Sequence, residues 1–427
     1  MPTSRFTLTG PIRHIVGASA AAALAIGCVL VVCWAFAHTL AKNSDVGNSD
    51  AIKASGTAVG LSPGDPLVRF RYASDLEKTF DLSAISLSLK EYEAAVAASP
   101  HSFTLWLALG QARERDGDRP AAEAAYRRAL ELAPNYARTK WALGNNLVRQ
   151  GRTDEGVDLI RGAVDQDPTF AAPAVIAAMQ AFDGDVRRAT EILGPSQIAR
   201  AELAKYLVNA GRFDEGLSVW TSAKFGADAK INEIRLAIRG KLVEAKRFRD
   251  AARVTSSLEV DESKRPAIGS ITNGGFETGV ATQNADLFDW QIGQPYPVYG
   301  LSESQPKEGR YSLLVRFTSA SKLEMSTVSR NVAVEPGTQY DLSLAYRSDL
   351  NTHAEFRWEV ISTADKTRIA IGDPIANKAE WTSMQMKFTV PSNTDGITIR
   401  LVREKCDTAA CTVSGNLWFD DFKLSKS

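Results

Sequence analysis

Residues Phe103–Tyr136 read FTLWLALGQARERDGDRPAAEAAYRRALELAPNY, and this stretch decides how the chain is built. Its landmarks return at a fixed interval. Pro100, Pro134 and Pro168 stand 34 residues apart, as do Ala95, Ala129 and Ala163, and Tyr92, Tyr126 and Ile160. Gly110 is repeated at Gly144, Gly117 at Gly151, and Ala122 at Gly156 by the same step. A fixed period of roughly 20–50 residues marks units that cannot bury an apolar face alone and therefore stack.

These residues resemble the tetratricopeptide repeat family. The best copy is Phe103–Tyr136, with Trp106, Leu109, Gly110, Ala122, Tyr126, Ala129 and Pro134 at the family's offsets. The resemblance implies two antiparallel helices per repeat. Gly110, Ala122 and Ala129 let the helices approach, Trp106 and Tyr126 fill the space between them, and Pro134 ends the second helix. Later copies decay. Gly211-Arg212-Phe213-Asp214-Glu215-Gly216 echoes Gly151-Arg152-Thr153-Asp154-Glu155-Gly156, and Lys246–Ala251 is one more echo. About six helix pairs are expected over 67–262.

In this family the first helix of each pair lines a concave groove. Arg138, Trp141, Asn145, Val148 and Arg149 lie on one helical face, and the preceding copy offers Thr104, Leu107, Gln111, Glu114 and Arg115. The resemblance implies a protein or peptide partner held by Arg115, Arg138, Trp141, Asn145 and Arg149, with the arginines and the amide suited to a carboxylate. The alternative is that the polar residues are only a solvated face. Trp141 stands one place after the family's aromatic position. Both an exposed groove aromatic and a shifted packing residue remain open for it.

Upstream, Ile15–Leu40 contains no Asp, Glu, Lys or Arg. An apolar run of about 20 residues suffices to cross a bilayer as a helix. Arg5 and Arg13 precede the run, so the bias of basic residues towards the cytoplasm leaves 1–14 inside as a tail and exports residues 43–427 to the periplasm or beyond. Residues 15–41 are read as a single-pass anchor of the inner or plasma membrane. Ala35-Phe36-Ala37 keeps a cleaved signal open as the rival reading. Asn, Ser, Asp, Gly and Pro between 42 and 66 predict a flexible linker.

Downstream of Pro266 the period changes to two. Tyr311, Leu313, Val315 and Phe317 alternate with Ser312, Leu314 and Arg316; Leu342, Leu344 and Tyr346 do the same; so do Met384, Met386, Phe388 and Val390, and then Ile397, Ile399 and Leu401. About eight such runs separated by turn residues predict a β-sandwich over 266–427. The fold class is therefore a transmembrane helix, a helical-repeat superhelix and a jelly-roll sandwich in one chain.

Asn273-Gly274-Gly275-Phe276-Glu277, Trp290, Glu308–Leu313, the turn Val334–Tyr340, Trp381 and the closing Leu417-Trp418-Phe419-Asp420-Asp421-Phe422 follow an order similar to that of jelly-roll carbohydrate-binding modules and the wider galactose-binding-like superfamily. That resemblance implies a glycan ligand, with Trp290, Tyr296, Tyr299 and Arg347 as candidate contacts. Trp358 shares a face with Phe356 and Val360 and reads as core. The resemblance also implies a structural calcium on Glu277 with Asp420 or Asp421, a cation that takes several hard oxygens; the alternative is a turn clamped by hydrogen bonds alone. In an exported domain Cys406 and Cys411 are expected to pair as a disulfide, free thiols being the alternative.

Fifty Lys and Arg balance fifty Asp and Glu, which argues against nucleic acid as a partner. His14, His38, His101 and His353 sit in no catalytic signature, and neither G-x-S-x-G nor H-E-x-x-H occurs. The chain reads as a non-enzymatic exported scaffold that binds a protein through its repeats and a glycan or protein through its sandwich, with a role in cell-envelope or exopolysaccharide assembly. Its rivals are an assembly protein whose sandwich only packs against the repeats, and a glycosidase using two facing carboxylates.

Overall fold

The computed structural model describes residues 10–43, 49–79, 81–259, 261–281, 283–293, 297–320, 328–404 and 412–427. They divide into two compact units, Met1–Ser196 and Gln197–Ser427.

The first unit is helical: α1 (Gly10–Asn43), α2 (Ser49–Leu61), α3 (Pro66–Glu77), α4 (Leu82–Ala98), α5 (Phe103–Arg115), α6 (Arg119–Leu132), α7 (Ala137–Arg149), α8 (Thr153–Gln166), α9 (Ala171–Ala181) and α10 (Val186–Leu193). Helix pairing follows the period of 34. A Cβ at Gly110 would stand 2.5 Å from the Tyr126 ring, and one at Gly144 would stand 2.7 Å from the Gly156 carbonyl oxygen. In the first pair the glycine makes room for the Tyr126 ring, and in the second the two helices touch backbone to backbone. Tyr126, Ala122 and Ala129 are buried between them with Leu143 and Leu147. Burial pushes the Tyr126 phenol up, and the neighbouring Glu114 carboxylate adds to the shift.

Residues 42–66 depart from the expected flexible linker, because most of the stretch is the helix α2. Ala51, Ser55 and Ala58 are buried along one helical stripe. Small residues that read as linker composition instead allow α2 to lie against its neighbours. Ala37 and Ala41 of α1, Ala58 of α2 and Val68 of α3 share one cluster. Asp65 caps α3 through the Leu67 and Val68 N–H groups and accepts the Trp34 indole N–H at 2.8 Å.

The second unit opens with α11 (Gln197–Asn209), α12 (Phe213–Ser222), α13 (Ala229–Glu244) and α14 (Phe248–Ser256). With α3–α10 these make the six expected helix pairs. The sandwich follows as β1 (Trp290–Ile292), β2 (Val298–Ser302), β3 (Ser312–Ala320), β4 (Val328–Ala333), β5 (Gln339–Ser348), β6 (Asn351–Thr352), β7 (Phe356–Ser362), β8 (Arg368–Ile371), β9 (Lys378–Thr389), β10 (Gly396–Arg403) and β11 (Val413–Lys426). One sheet runs β1-β4-β10-β7-β8 and the other β2-β3-β11-β5-β9, with β6 beside β11. All strand pairs are antiparallel. The alternation read from sequence places Leu313, Val315, Leu342, Leu344, Ile397 and Ile399 in the shared core. The sandwich is held to α14 by Asp395, whose carboxylate accepts the Phe248 and Arg249 N–H groups at 2.8 and 3.1 Å. Phe248 packs at Gly396, where a Cβ would meet its ring at 2.6 Å.

Candidate functional site

The first candidate is the concave side of the repeats. Trp141 on α7 forms a ridge between two hollows of about 780 and 690 Å³. Asn145 and Arg149 line the larger hollow with Gln111 and Glu114 of α5, and Arg138 lines the smaller one. Trp141 is half-buried, lines both hollows and packs on Phe170 at 5.5 Å between ring centroids. Arg149 pairs with Glu114 at 3.0 Å, and Glu114 also accepts the Tyr126 hydroxyl at 2.8 Å. Asn145 donates to the Trp141 carbonyl oxygen at 2.9 Å. Arg138 is exposed and has no ion pair among the described residues. Arg115 does not line either hollow: it is paired with Glu77. Leu107 faces the core. The opposite wall, with Ile176 of α9 46% exposed, was missed by sequence reasoning because that copy of the repeat is too short to align by period.

The second candidate lies on the outer face of the sheet β2-β3-β11-β5-β9. Side chains alternate across a strand, so burying Leu417 and Phe419 sends Trp418 outwards, and burying Tyr346 sends Arg347 outwards. Trp418 stands opposite Arg347 on one side and Leu314 on the other, and Leu314 stands opposite Gly300. The Arg347 guanidinium lies over the Trp418 ring at 4.3 Å and near the Trp381 ring at 5.6 Å. Trp381, Arg347, Trp418, Leu314 and Gly300 thus form one row across all five strands. A Cβ at Gly300 would meet nothing within 4 Å, so that end of the row is open. Both tryptophans are half-buried. Arg347 donates to the Gln305 side-chain oxygen at 2.8 Å and to the Ser304 carbonyl oxygen at 3.0 Å, and Trp381 donates its indole N–H to the Gln305 carbonyl oxygen at 3.0 Å. The segment after β2 therefore walls one side of the row.

Of the expected glycan contacts among the described residues, only Arg347 stands on this face. Trp290 is 1% exposed, packs on Phe276 and Phe422 and donates its indole N–H to the Asn273 carbonyl oxygen, so it is core and offers no sugar a face. Tyr299 is buried for the same reason as Val315 opposite it: both point inwards, and burial pushes its phenol up. Tyr296 lies outside the described residues, as do Cys406 and Cys411. Trp381 and Trp418 could have been found by carrying the period of two through the flanking residues.

The expected calcium ligands are placed as a clamp. Glu277 accepts the Arg310 and Tyr311 N–H groups, both at 3.0 Å. Asp420 is fully buried and accepts the Lys307 and Glu308 N–H groups at 2.8 and 3.2 Å. Gly309 between them has φ +64°, and a Cβ there would run into the Glu277 carboxylate, so glycine is required twice over. Desolvation raises the Asp420 carboxyl above its usual range against the pull of those N–H groups. Asp421 turns away to Lys423 at 2.5 Å. N–H donors satisfy Glu277 and Asp420 here, which is the hydrogen-bonded turn that stood as the alternative to calcium. No group of three or more His, Cys, Asp or Glu able to hold a metal occurs among the described residues. Asp420→Asn is expected to lower the stability of the second unit by about 1–3 kcal/mol, since one amide face must confront an N–H donor. Urea denaturation should give the same loss with and without a calcium chelator.

Two family models match the chain. The tetratricopeptide repeat model matches residues 85–137 and 108–171, and the carbohydrate binding domain model matches residues 269–408. Among solved structures, the chain is similar to one titled "CBM4 structure and function" (16% identity, 37% of this chain and 99% of that one, TM-score 0.28). It is also similar to "Crystal structure of MamA" (16% identity, 44% and 88%, TM-score 0.29) and to "Crystal structure of YrrB: a TPR protein with an unusual peptide-binding site" (15% identity, 48% and 91%, TM-score 0.27). No curated protein matches. Neither matched domain is of a catalytic class. This chain carries tetratricopeptide repeats, a class of protein-interaction module, followed by a sandwich of the carbohydrate-binding class.

Proposed function

We propose that this protein is a membrane-held scaffold that grips a protein segment in its repeat groove and a glycan on the outer face of its sandwich, in the service of cell-envelope or exopolysaccharide assembly. The row Trp381–Arg347–Trp418 carries the reading. Sugar sites need aromatic rings ringed by polar groups at an accessible surface, and this row supplies both on a domain of the matching class. A sandwich serving only to pack on helices would need no half-exposed tryptophans on the face opposite its core.

The groove supports the protein half. Trp141 offers an aromatic ridge, Ile176 an apolar wall, and Arg138 an unmatched cation suited to an acidic or C-terminal carboxylate. Anchoring rests on α1. Its segment His14–Lys42 is the one helix among the described residues long and apolar enough to cross a membrane, and its apolar window is unburied. Retention rather than cleavage is favoured because Ala37 and Ala41 are buried against α2 and α3, and Trp34 is tied to Asp65. Residues 43–427 then lie in the periplasm or outside the cell.

The test is Trp418→Ala in the full chain, titrated against a panel of neutral and acidic polysaccharides. A bound member of the panel should be weakened about tenfold or more, with the melting temperature little changed. A folded protein that binds no member of the panel removes the glycan half.

A further inference from the structure

Several arginines elsewhere on the sandwich surface are matched by carboxylates. Arg310 pairs with Glu303, Arg357 with Glu355, and Arg368 and Arg400 share the buried Glu359. The two on the outer face of the β2-β3-β11-β5-β9 sheet have no ion pair among the described residues. Arg347 spends two of its five N–H donors on neutral oxygens, those of Gln305 and Ser304, and its buried Nε has no partner. Arg316 on β3 donates its Nε to the Asn416 side-chain oxygen at 3.2 Å and has no ion pair among the described residues. Among the described residues, the carboxylates nearby do not answer them. Asp349 is committed to the Asn416 main-chain and side-chain N–H groups. Asp341, on the same side of β5 as Arg347, stands six residues along the strand, on the order of 20 Å away.

We infer that the ligand of this face is an acidic polysaccharide, one whose uronate-type carboxylates are met by Arg347 and Arg316. This rests on the glycan reading above and names its chemical class. A guanidinium held over an indole is partly stripped of water and keeps its charge, so the ligand that restores its lost hydration best is an anion able to accept two parallel N–H bonds. A neutral sugar would stack on the same row and leave both cations unmatched. Arg316 and Arg347 flank β11, one strand to either side of it and two residues apart in register, roughly 12 Å between Cα positions. Two carboxylates on one extended chain can reach both, whereas a single small anion cannot.

The experiment is isothermal titration of the full chain in detergent micelles. The probes are short oligogalacturonates, oligoglucuronates and alginate fragments, each beside its methyl ester, in which the sugar is kept and the charge removed. At least one acid should bind about tenfold more tightly than its ester. That preference should shrink as salt rises, because these groups are exposed to screening. Arg347→Gln should bring acid and ester close to equal affinity. Arg316→Gln, at an exposed position, should narrow the gap by itself and covers the case in which the first variant fails to fold. Esters or neutral glycans bound as tightly as any acid would overturn this inference while leaving glycan binding intact. Silence towards every acid and every neutral glycan by a cooperatively melting protein would overturn both.

Discussion

Gly144→Val is expected to cost the helical array about 2–4 kcal/mol. At this position α7 and α8 meet backbone to backbone. A Cβ would stand 2.7 Å from the Gly156 carbonyl oxygen and 2.8 Å from Ile160 Cγ1, and at Gly156 the reciprocal contact is to the Gly144 carbonyl oxygen at 2.6 Å, with the Val148 side chain at 2.8 Å. Neither carbonyl can yield without breaking helix hydrogen bonds, so the helices must separate, and Leu143, Leu147 and Ile160 lose contact with each other along the seam. Gly60→Ala is the control: α2 has open space there, and alanine should stabilise by about 0.5–1 kcal/mol through helix propensity. Urea denaturation followed by far-UV circular dichroism reads both. If Gly144→Val melts with the parent, the close approach is wrong.

The second large effect is at Trp290. Trp290→Ala should cost the sandwich about 3–5 kcal/mol, the usual range for deleting a buried indole. It removes the ring that packs on Phe276, Phe422 and Trp358 and strands the Asn273 carbonyl oxygen. Loss of near-UV ellipticity should accompany loss of any glycan binding, both tracking the unfolded fraction. Trp418→Ala should behave in the opposite way, with binding lost and the fold kept. If Trp290→Ala leaves the melting temperature unchanged while abolishing binding, the assignment of these two tryptophans must be exchanged.

The contrast between the two tryptophans explains how much of the site was legible. Period-two alternation identified which strands exist, and inward Leu313, Val315 and Phe317 follow from it directly. It did not say which of several isolated aromatics near strand ends would point outwards. Trp290 sits at the start of a three-residue strand, too short to show a parity of its own. Trp418 lies in a strand whose parity was readable from Leu417 and Phe419, yet its partners Arg347 and Trp381 arrive from β5 and β9, far away in the chain. In the repeats the groove was more legible, because Trp141, Asn145 and Arg149 sit on one helix whose face is fixed by local spacing. Arg115 has the same local spacing and was lost to Glu77, 38 residues upstream.

Residues 42–66 teach the same lesson about composition. Ala, Ser and Gly are what a linker and a close helix contact have in common, and only burial separates the two.

What sequence alone determined here is whatever depends on neighbours within a few residues or on exact repetition: the 34-residue helix pairs, the apolar span, the strand alternation and the absence of catalytic signatures. The tertiary structure alone decided which polar groups find partners. Asp420 and Glu277 receive N–H groups from the Lys307–Tyr311 turn, Asp395 caps a helix more than a hundred residues before it, and Arg347 is left with neutral company between two indoles. The reason is physical. Backbone periodicity is set by local sterics and hydrogen bonding, whereas the satisfaction of a charge depends on which distant atoms the fold brings within about 3 Å of it.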